Sequence, residues 1–363
     1  MFDDLPPPIE HISFGVALLA LGRVNGIGQV GLCKMVAKYG DELWKIFQIP
    51  RRELAEEMKD LGIKDAVRLS GEVDNGSREL ISHGQKTLNV LRSRNISVLS
   101  PSAIPNRLKE LETDAPLWLF VEGNADVLTH RPVIAVVGTR NPTSEGKRAA
   151  DRIAKVLSPY PVAIVSGLAD GIDAEVHDKT LQRDLKNIAF LGHGINLVFP
   201  EQTADIREKI VEREGAVVSE YLPNQNYQKQ QFVRRNRLQA ALADIVIPVE
   251  AKIQSGTAHT VRYAREYGRM LIGIRWQGAN GIVGDLVEHG DRVIDIFTPK
   301  GEQELNSIVQ ELVRDTGEDP YSLKIVESYI LKELSTRSAS PKDVERLIEA
   351  IRRTVQKESS TNG

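Results

Sequence analysis

The residue types most suited to chemistry lie in four short stretches, each glycine-rich or basic and each placed where an apolar run gives way to a helical pattern. The first is Gly138-Thr139-Arg140 after Val136-Val137, leading through Asn141-Pro142-Thr143-Ser144 into a helix from about Lys147. Glycine lets the backbone approach an anion, the unpaired N–H groups of a helix start point outward, and the planar guanidinium of Arg140 fits a phosphate. An Arg140 paired with a surface carboxylate would read the same way. The second stretch, Ser166-Gly167-Leu168-Ala169-Asp170-Gly171-Ile172-Asp173, repeats the arrangement, so two neighbouring strand ends would line one crevice. Asp170, Asp173 and His177 could ligate a metal, but Asp often caps a helix start and a His one turn on often satisfies a local hydrogen bond; capping is preferred.

The third stretch, Lys229 to Arg237, carries four positive charges (Lys229, Arg234, Arg235, Arg237) and no acid, with Phe232 among them and Asn236 between the last two arginines. Cations neutralise phosphates and release counterions, while a ring stacks on an unpaired base, a combination suited to a single strand rather than a duplex. Because Arg237 leads into Leu238, Ala240, Ala241 and Leu242, at least one of these arginines is expected to point into the fold. The fourth stretch is Ser255-Gly256-Thr257, after Pro248-Val249-Glu250, placed to donate hydrogen bonds to an anion at another helix start. Glu250 would either orient the arginine-rich segment or hold a loop together.

Composition narrows the classes. The chain has 363 residues, 41% of them hydrophobic, and a formal charge of −3, so any contact with nucleic acid must be local rather than spread over the surface. One cysteine, Cys33, excludes an internal disulfide and a cysteine-based metal cluster. There is no H-E-x-x-H, no Walker loop and no complete catalytic set, so neither enzyme activity, metal nor cofactor is expected. No run of about 18 apolar residues occurs, and the opening Met-Phe-Asp-Asp-Leu-Pro-Pro-Pro lacks a signal-peptide pattern, so no membrane contact and a cytoplasmic location are expected.

The elements that must position these stretches form an α/β chain. Residues 1–90 read as a helical domain of helix-hairpin-helix or SAM-like type, with a polar break at Gly71–Ser77. Its Gly26-Ile27-Gly28-Gln29-Val30-Gly31 satisfies G-x-G-x-x-G, but Ala17 to Leu21 before it is helix-forming, so a tight hairpin between helices is preferred to a dinucleotide site. Only Lys34 and Lys38 lie nearby, which favours a structural role. Residues 91–298 read as a Rossmann-like domain, with strands at 96–99, 117–121, 133–137, 163–166, 188–191, 216–219, 245–249 and 270–274 alternating with helices in a parallel sheet covered on both faces. A linker at 299–317, a C-terminal helical module at 318–356 and a disordered tail at 357–363 complete the expected organisation.

In this order, the four stretches resemble the DprA/Smf (DNA-processing) family, as do Ala115-Pro116-Leu117, Gly192-His193-Gly194, Pro200-Glu201 and Ser219-Glu220. The resemblance covers roughly residues 12 to 275. It implies a non-catalytic protein that binds and protects single-stranded DNA and hands it to the RecA recombinase in transformation or recombination, as a homodimer. Carried over by motif, Arg140 contacts phosphate, Arg234 and Arg235 line the DNA pocket, Phe232 stacks a base, and the glycine loops, Gly138-Thr139, Ser166-Gly167, Gly171 and Ser255-Gly256-Thr257, shape the floor. Lys229 is added from charge alone. The chain departs from the family pattern at Gly273–Gly281, and its C-terminal helices do not read clearly as the winged helix some members carry. Two other classes share the fold: a small-nucleotide sensor using the same anion loops, and a nucleoside-monophosphate phosphoribohydrolase, which would need a glutamate after Gly256-Thr257 where this chain has Ala258-His259-Thr260.

Overall fold

A computed structural model describes residues 12–277 and 281–316. The C-terminal module and tail expected from 318 onward lie outside those residues. The chain opens with four helices, α1 (Phe14–Leu21), α2 (Gln29–Tyr39), α3 (Arg51–Asp60) and α4 (Ala66–Ser93). Ser13 caps α1 by accepting from Val16 N at 3.4 Å, and every residue of α1 is buried. The turn after it carries Gly26 at φ 106° and is closed by Arg68, which donates to Asn25 O at 3.1 Å. That is the expected hairpin, and the element immediately before it is the helix α1 and not a strand.

The polar stretch Gly71–Ser77 does not break the chain but lies inside the 28-residue α4. Tertiary packing outweighs the glycine penalty of about 1 kcal/mol. Val73 is buried, Gly71 lies against the Arg51 guanidinium, and at Gly84 an added Cβ would collide with Val16 O and sit 3.1 Å from Ala20 N. Gly84→Ala is therefore expected to destabilise the protein by about 1–3 kcal/mol through overpacking at the α1–α4 crossing. Gly76→Ala, whose new methyl would meet only Leu80 at 3.8 Å, should be neutral or stabilising, and urea midpoints of the two variants check the contrast.

The sheet has nine strands: β1 (Ile96–Leu99), β2 (Leu119–Gly123), β3 (Val133–Val137), β4 (Ala163–Ser166), β5 (Lys186–Phe190), β6 (Ala216–Ser219), β7 (Ile245–Pro248), β8 (Met270–Arg275) and β9 (Arg292–Asp295). Their order is β1-β2-β6-β5-β4-β3-β7-β8-β9. From β6 to β9 all pairings are parallel, whereas β1–β2 and β2–β6 are antiparallel, so the expected parallel sheet carries an antiparallel edge. The β1–β2 connection holds only short 3₁₀ turns and the four-residue α5 (Asn106–Lys109), too little helix to cover a face in a parallel crossover. Strand β9 escapes sequence reading because only Val293 and Ile294 in it are apolar and it sits at an edge.

Alternation sorts the buried strand residues. Ile134, Val136 and Ile164 pack with α6 (Ser144–Leu157) and α7 (Ile172–Leu181); Ala135, Val137 and Val165 pack with the helices of the opposite face. The remaining helices are α8 (Ala204–Glu212), α9 (Lys229–Leu242), α10 (Gly256–Glu266), α11 (Ile282–Glu288) and α12 (Pro299–Asp315). The N-terminal helices share one core with Trp118, Phe120, Ala189 and Val217 of the sheet. Residues 299–315, expected as a linker, form α12 instead: Leu305, Ile308, Val309 and Val313 are buried in the α6–α7 core, and Tyr160 donates to Asn306 Oδ1 at 2.8 Å. Among the described residues no helix is long and apolar enough to cross a membrane.

Candidate nucleic-acid interface

The switch in strand order fixes where a crevice must open. From β3 the chain leaves through α6 on one face, while from the adjacent β7 it leaves through α10 on the other, so the two strand ends diverge. Three loops meet there. Thr139 N donates to Glu250 O at 2.7 Å, and Ile172 N donates to Thr139 O at 3.1 Å. Gly171 has φ 85°, and a Cβ on it would press within 2.7 Å of the Arg140 backbone. Glu250 Oε2 accepts from Thr143 N and Thr143 Oγ1, both at 3.0 Å, so this carboxylate holds the loop and not the arginine-rich helix.

The crevice has a volume of about 930 Å³. Gly138, Thr139 and Arg140 form one wall and the start of α10 the other. Ser255 Oγ accepts from Ala258 N at 3.4 Å, Asn236 Nδ2 donates to Gly256 O at 3.0 Å, and the backbone at Gly256 faces open space. Four cations, Arg140, Lys229, Arg235 and Arg262, line the cleft against one carboxylate, Asp173. Arg235 and Asp173 sit together at its buried floor. Burial pushes the Asp173 carboxyl up, opposed by the positive charge of Arg235 and by the Gly138 N–H. Burial likewise pushes the Arg235 guanidinium down to about 10, and its Nη1 donates to Phe190 O at 2.6 Å. With those two charges offsetting each other, Arg140 and Lys229 carry most of the net field of the cleft, joined by Arg262, which also pairs with Glu266 at 3.5 Å.

Several expected contacts are redistributed. Helix α9 presents Phe232, Arg235, Asn236 and Gln239 to the cleft, the i, i+3, i+4, i+7 stripe of one helical face. Arg234 is exposed and lies outside the cleft, turned towards Cys33 and Glu220 of the opposite side. Arg237 is the arginine that points inward, bonded to Glu220. Ser166 is fully buried and spends its hydroxyl on Val136 O at 2.7 Å. Gly167 is the surface on which the Arg235 guanidinium lies, and Gly171 joins the two loops.

The capping role preferred for Asp173 is replaced by these floor contacts, since α7 has no side-chain cap. His177 is buried one turn further on, its Nδ1 2.7 Å from Asn187 Oδ1. Because Asn187 Oδ1 also accepts from Thr180 Oγ1 at 2.9 Å, the network assigns the imidazole proton to Nδ1. Burial pushes His177 down from 6.5 to about 4. A depressed histidine leaves the unfolded chain binding more protons below pH 6.5, so its stabilisation is complete above that value and is lost as pH falls towards 4. The loss is on the order of 3 kcal/mol. A His177→Gln variant should flatten that part of the pH–stability curve measured by urea denaturation.

Sequence reasoning found Phe232 but missed Tyr227 and Phe199, the rest of the aromatic side of the cleft. The Arg140 guanidinium lies 5.2 Å from the Phe232 ring centroid, Tyr227 stacks on Phe199 at 4.0 Å, and Tyr227 and Phe232 are 6.1 Å apart. The available signal was one ring in the polar run Asn224-Gln225-Asn226-Tyr227-Gln228 just before the basic helix. Arg262 gave none, since no glycine-rich turn or run of cations surrounds it.

This is a Rossmann-like α/β protein with an anion-attracting, partly aromatic crevice at the switch point of its sheet. Residues 95–280 match the family described as DNA recombination-mediator protein A, a span that contains all four loop stretches. Protein Smf of Synechocystis is 32% identical over 293 residues, 76% of this chain and 69% of that protein. DNA processing protein DprA of Streptococcus pneumoniae is 35% identical over 184 residues, 50% of this chain and 64% of the relative. Among solved structures, Helicobacter pylori DprA, described for its single-stranded DNA binding mode, superposes with a TM-score of 0.54 at 26% identity, covering 60% of this chain and 97% of that one. Streptococcus pneumoniae DprA gives a TM-score of 0.52 at 26% identity, covering 73% and 94%. The chain belongs to the DNA recombination-mediator protein A (DprA/Smf) family, whose members are DNA-binding proteins and not enzymes.

Proposed function

We propose that the crevice holds a single strand of DNA, and that the protein protects such strands and passes them to RecA during DNA uptake or recombination, working as a homodimer. Arg140, Lys229 and Arg262 neutralise successive phosphates. Gly138-Thr139 and the Ser255-Gly256-Thr257 helix start supply hydrogen-bond donors, while Asn236 braces the latter wall. The observation that carries this reading is the joining, in one cleft, of three cations not offset by the floor carboxylate with an exposed ring. Phosphate contacts alone would serve a duplex equally; a ring serves only unpaired bases. The single-strand binding described for the Helicobacter pylori relative supports the same conclusion.

Fluorescence anisotropy of a labelled oligonucleotide, single-stranded and duplex, tests it across a salt series. The single strand is expected to bind more tightly. With three phosphates neutralised, log K should fall against log salt with a slope of about −2. Equal binding of duplex, or no binding by folded protein, overturns the proposal. Thermal stabilisation by mononucleotides and not by oligonucleotides would put a nucleotide sensor in its place. Acceleration of RecA filament assembly on the bound strand tests the partner, and light scattering tests the dimer.

A further inference from the structure

We propose that Tyr227, and not Phe232, is the base-stacking surface of this cleft, taking an unpaired nucleobase on its outer face. The inference deepens the single-strand reading above and rests on it.

Phe232 is the aromatic residue that charge and spacing in the sequence single out, but it is half-buried and closely packed. A Cβ built on Gly192 would lie 2.6–3.0 Å from Cγ, Cδ1 and Cε1, so the glycine backbone packs against that edge of the ring. The Arg140 guanidinium lies over the ring, 5.2 Å from its centroid. His193, Phe199 and Tyr227 stand around it at 6.5, 5.8 and 6.1 Å. A base stacking where Arg140 lies over Phe232 would have to displace the guanidinium, removing a phosphate contact to gain a stacking contact. The ring is better suited to holding the guanidinium over the cleft through its quadrupole.

Tyr227 has the opposite surroundings. One face is stacked on Phe199 at 4.0 Å with an interplanar angle of 22°, which fixes its plane, and the residue is 49% exposed. Among the described residues its aromatic contacts are with Phe199 and Phe232 alone. A large ring held flat on one side and open to the cleft on the other is the geometry of a stacking platform. Lys229, exposed at the start of α9 and lining the same cleft, lies two residues along the chain, where it can meet the phosphate next to a stacked base. If Tyr227 served only to cover Phe199, any apolar side chain of similar size would do as well.

That difference defines the test. Affinity for a thymidine oligonucleotide of about twelve nucleotides is compared with affinity for an abasic phosphodiester of the same length. The proteins are the full-length wild type, Tyr227→Leu and Tyr227→Trp. Tyr227→Leu keeps the apolar cover and is expected to bind the thymidine strand roughly fivefold or more weakly. Tyr227→Trp should keep wild-type affinity, and the emission it adds over wild type should be quenched by the thymidine strand but not by the abasic one. Binding of the abasic strand, and the salt slope, should be the same in all three. Wild-type affinity of Tyr227→Leu for the thymidine strand overturns the inference while leaving single-strand binding intact. Equal losses on both strands also overturn it, because they show a loop that has merely shifted. Failure of the wild type to bind either strand removes the single-strand reading itself and this inference with it.

Discussion

Reversing the charge at position 140, with Arg140→Glu, is expected to weaken single-strand binding by at least about hundredfold, because placing like charges together across an interface costs several kcal/mol on top of the attraction lost. Arg140 is exposed, stands at the mouth of the cleft and is supported from beneath by Phe232, so its charge acts on the ligand and is not spent on an internal partner. It is also close enough to Asp173 for its charge to lower that carboxyl, and a glutamate at 140 would bring two acids together over the cleft floor. Arg140→Ala removes only the attraction and should cost about tenfold, with the salt slope less steep by roughly 0.7. Both variants should melt near wild type. Unchanged affinity of Arg140→Glu would mean that the strand does not run through this cleft.

The second large effect is on the fold, and it comes from the same basic stretch. Arg237 is 1% exposed. Its Nη1 and Nη2 donate to the two Glu220 oxygens at 2.7 and 2.6 Å, and its Nε donates to Asp114 O at 2.8 Å. One residue thereby ties α9 to the end of β6 and to the β1–β2 connection. Arg237→Ala would leave Glu220 buried and uncompensated, a loss of about 3–5 kcal/mol. That is a large fraction of the roughly 5–15 kcal/mol by which a domain is stable. Replacing both partners, Arg237→Met with Glu220→Leu, should recover much of the loss because no charge is stranded. Arg234→Ala, at an exposed position three residues earlier, should change stability by less than about 0.5 kcal/mol. Urea denaturation of these variants separates the cases, and comparable losses at 234 and 237 would contradict the burial pattern.

Much of the framework is legible without a structure because its signals are local. Apolar runs of four or five residues ending in Gly138, Gly167 or Pro248 locate strand ends, and the helical pattern that follows each of them locates the turns that line the cleft. Eight of the nine strands follow from such runs, with ends displaced by one or two residues. The glycine at 71 and the polar run after it misled for the converse reason: whether a glycine ends a helix depends on what packs against it, and Arg51, which packs against Gly71, belongs to another helix.

By itself, the sequence determined which segments are candidates for phosphate contact, the α/β class, and the absence of a cysteine-based metal or disulfide framework, since composition, spacing and strand–turn–helix boundaries are properties of neighbouring residues. Only the tertiary structure decided which arginine does what. Successive residues of a helix point about 100° apart, so the phase at which α9 docks on the sheet sends Arg235 to the cleft floor, Arg237 to Glu220 and Arg234 to the opposite surface. It likewise decided that Asp173 meets Arg235, that Arg140 covers Phe232 and that Phe199 supports Tyr227. Those partners come from different strand–helix units, and only the order in which the sheet assembles brings them within a few ångströms of one another.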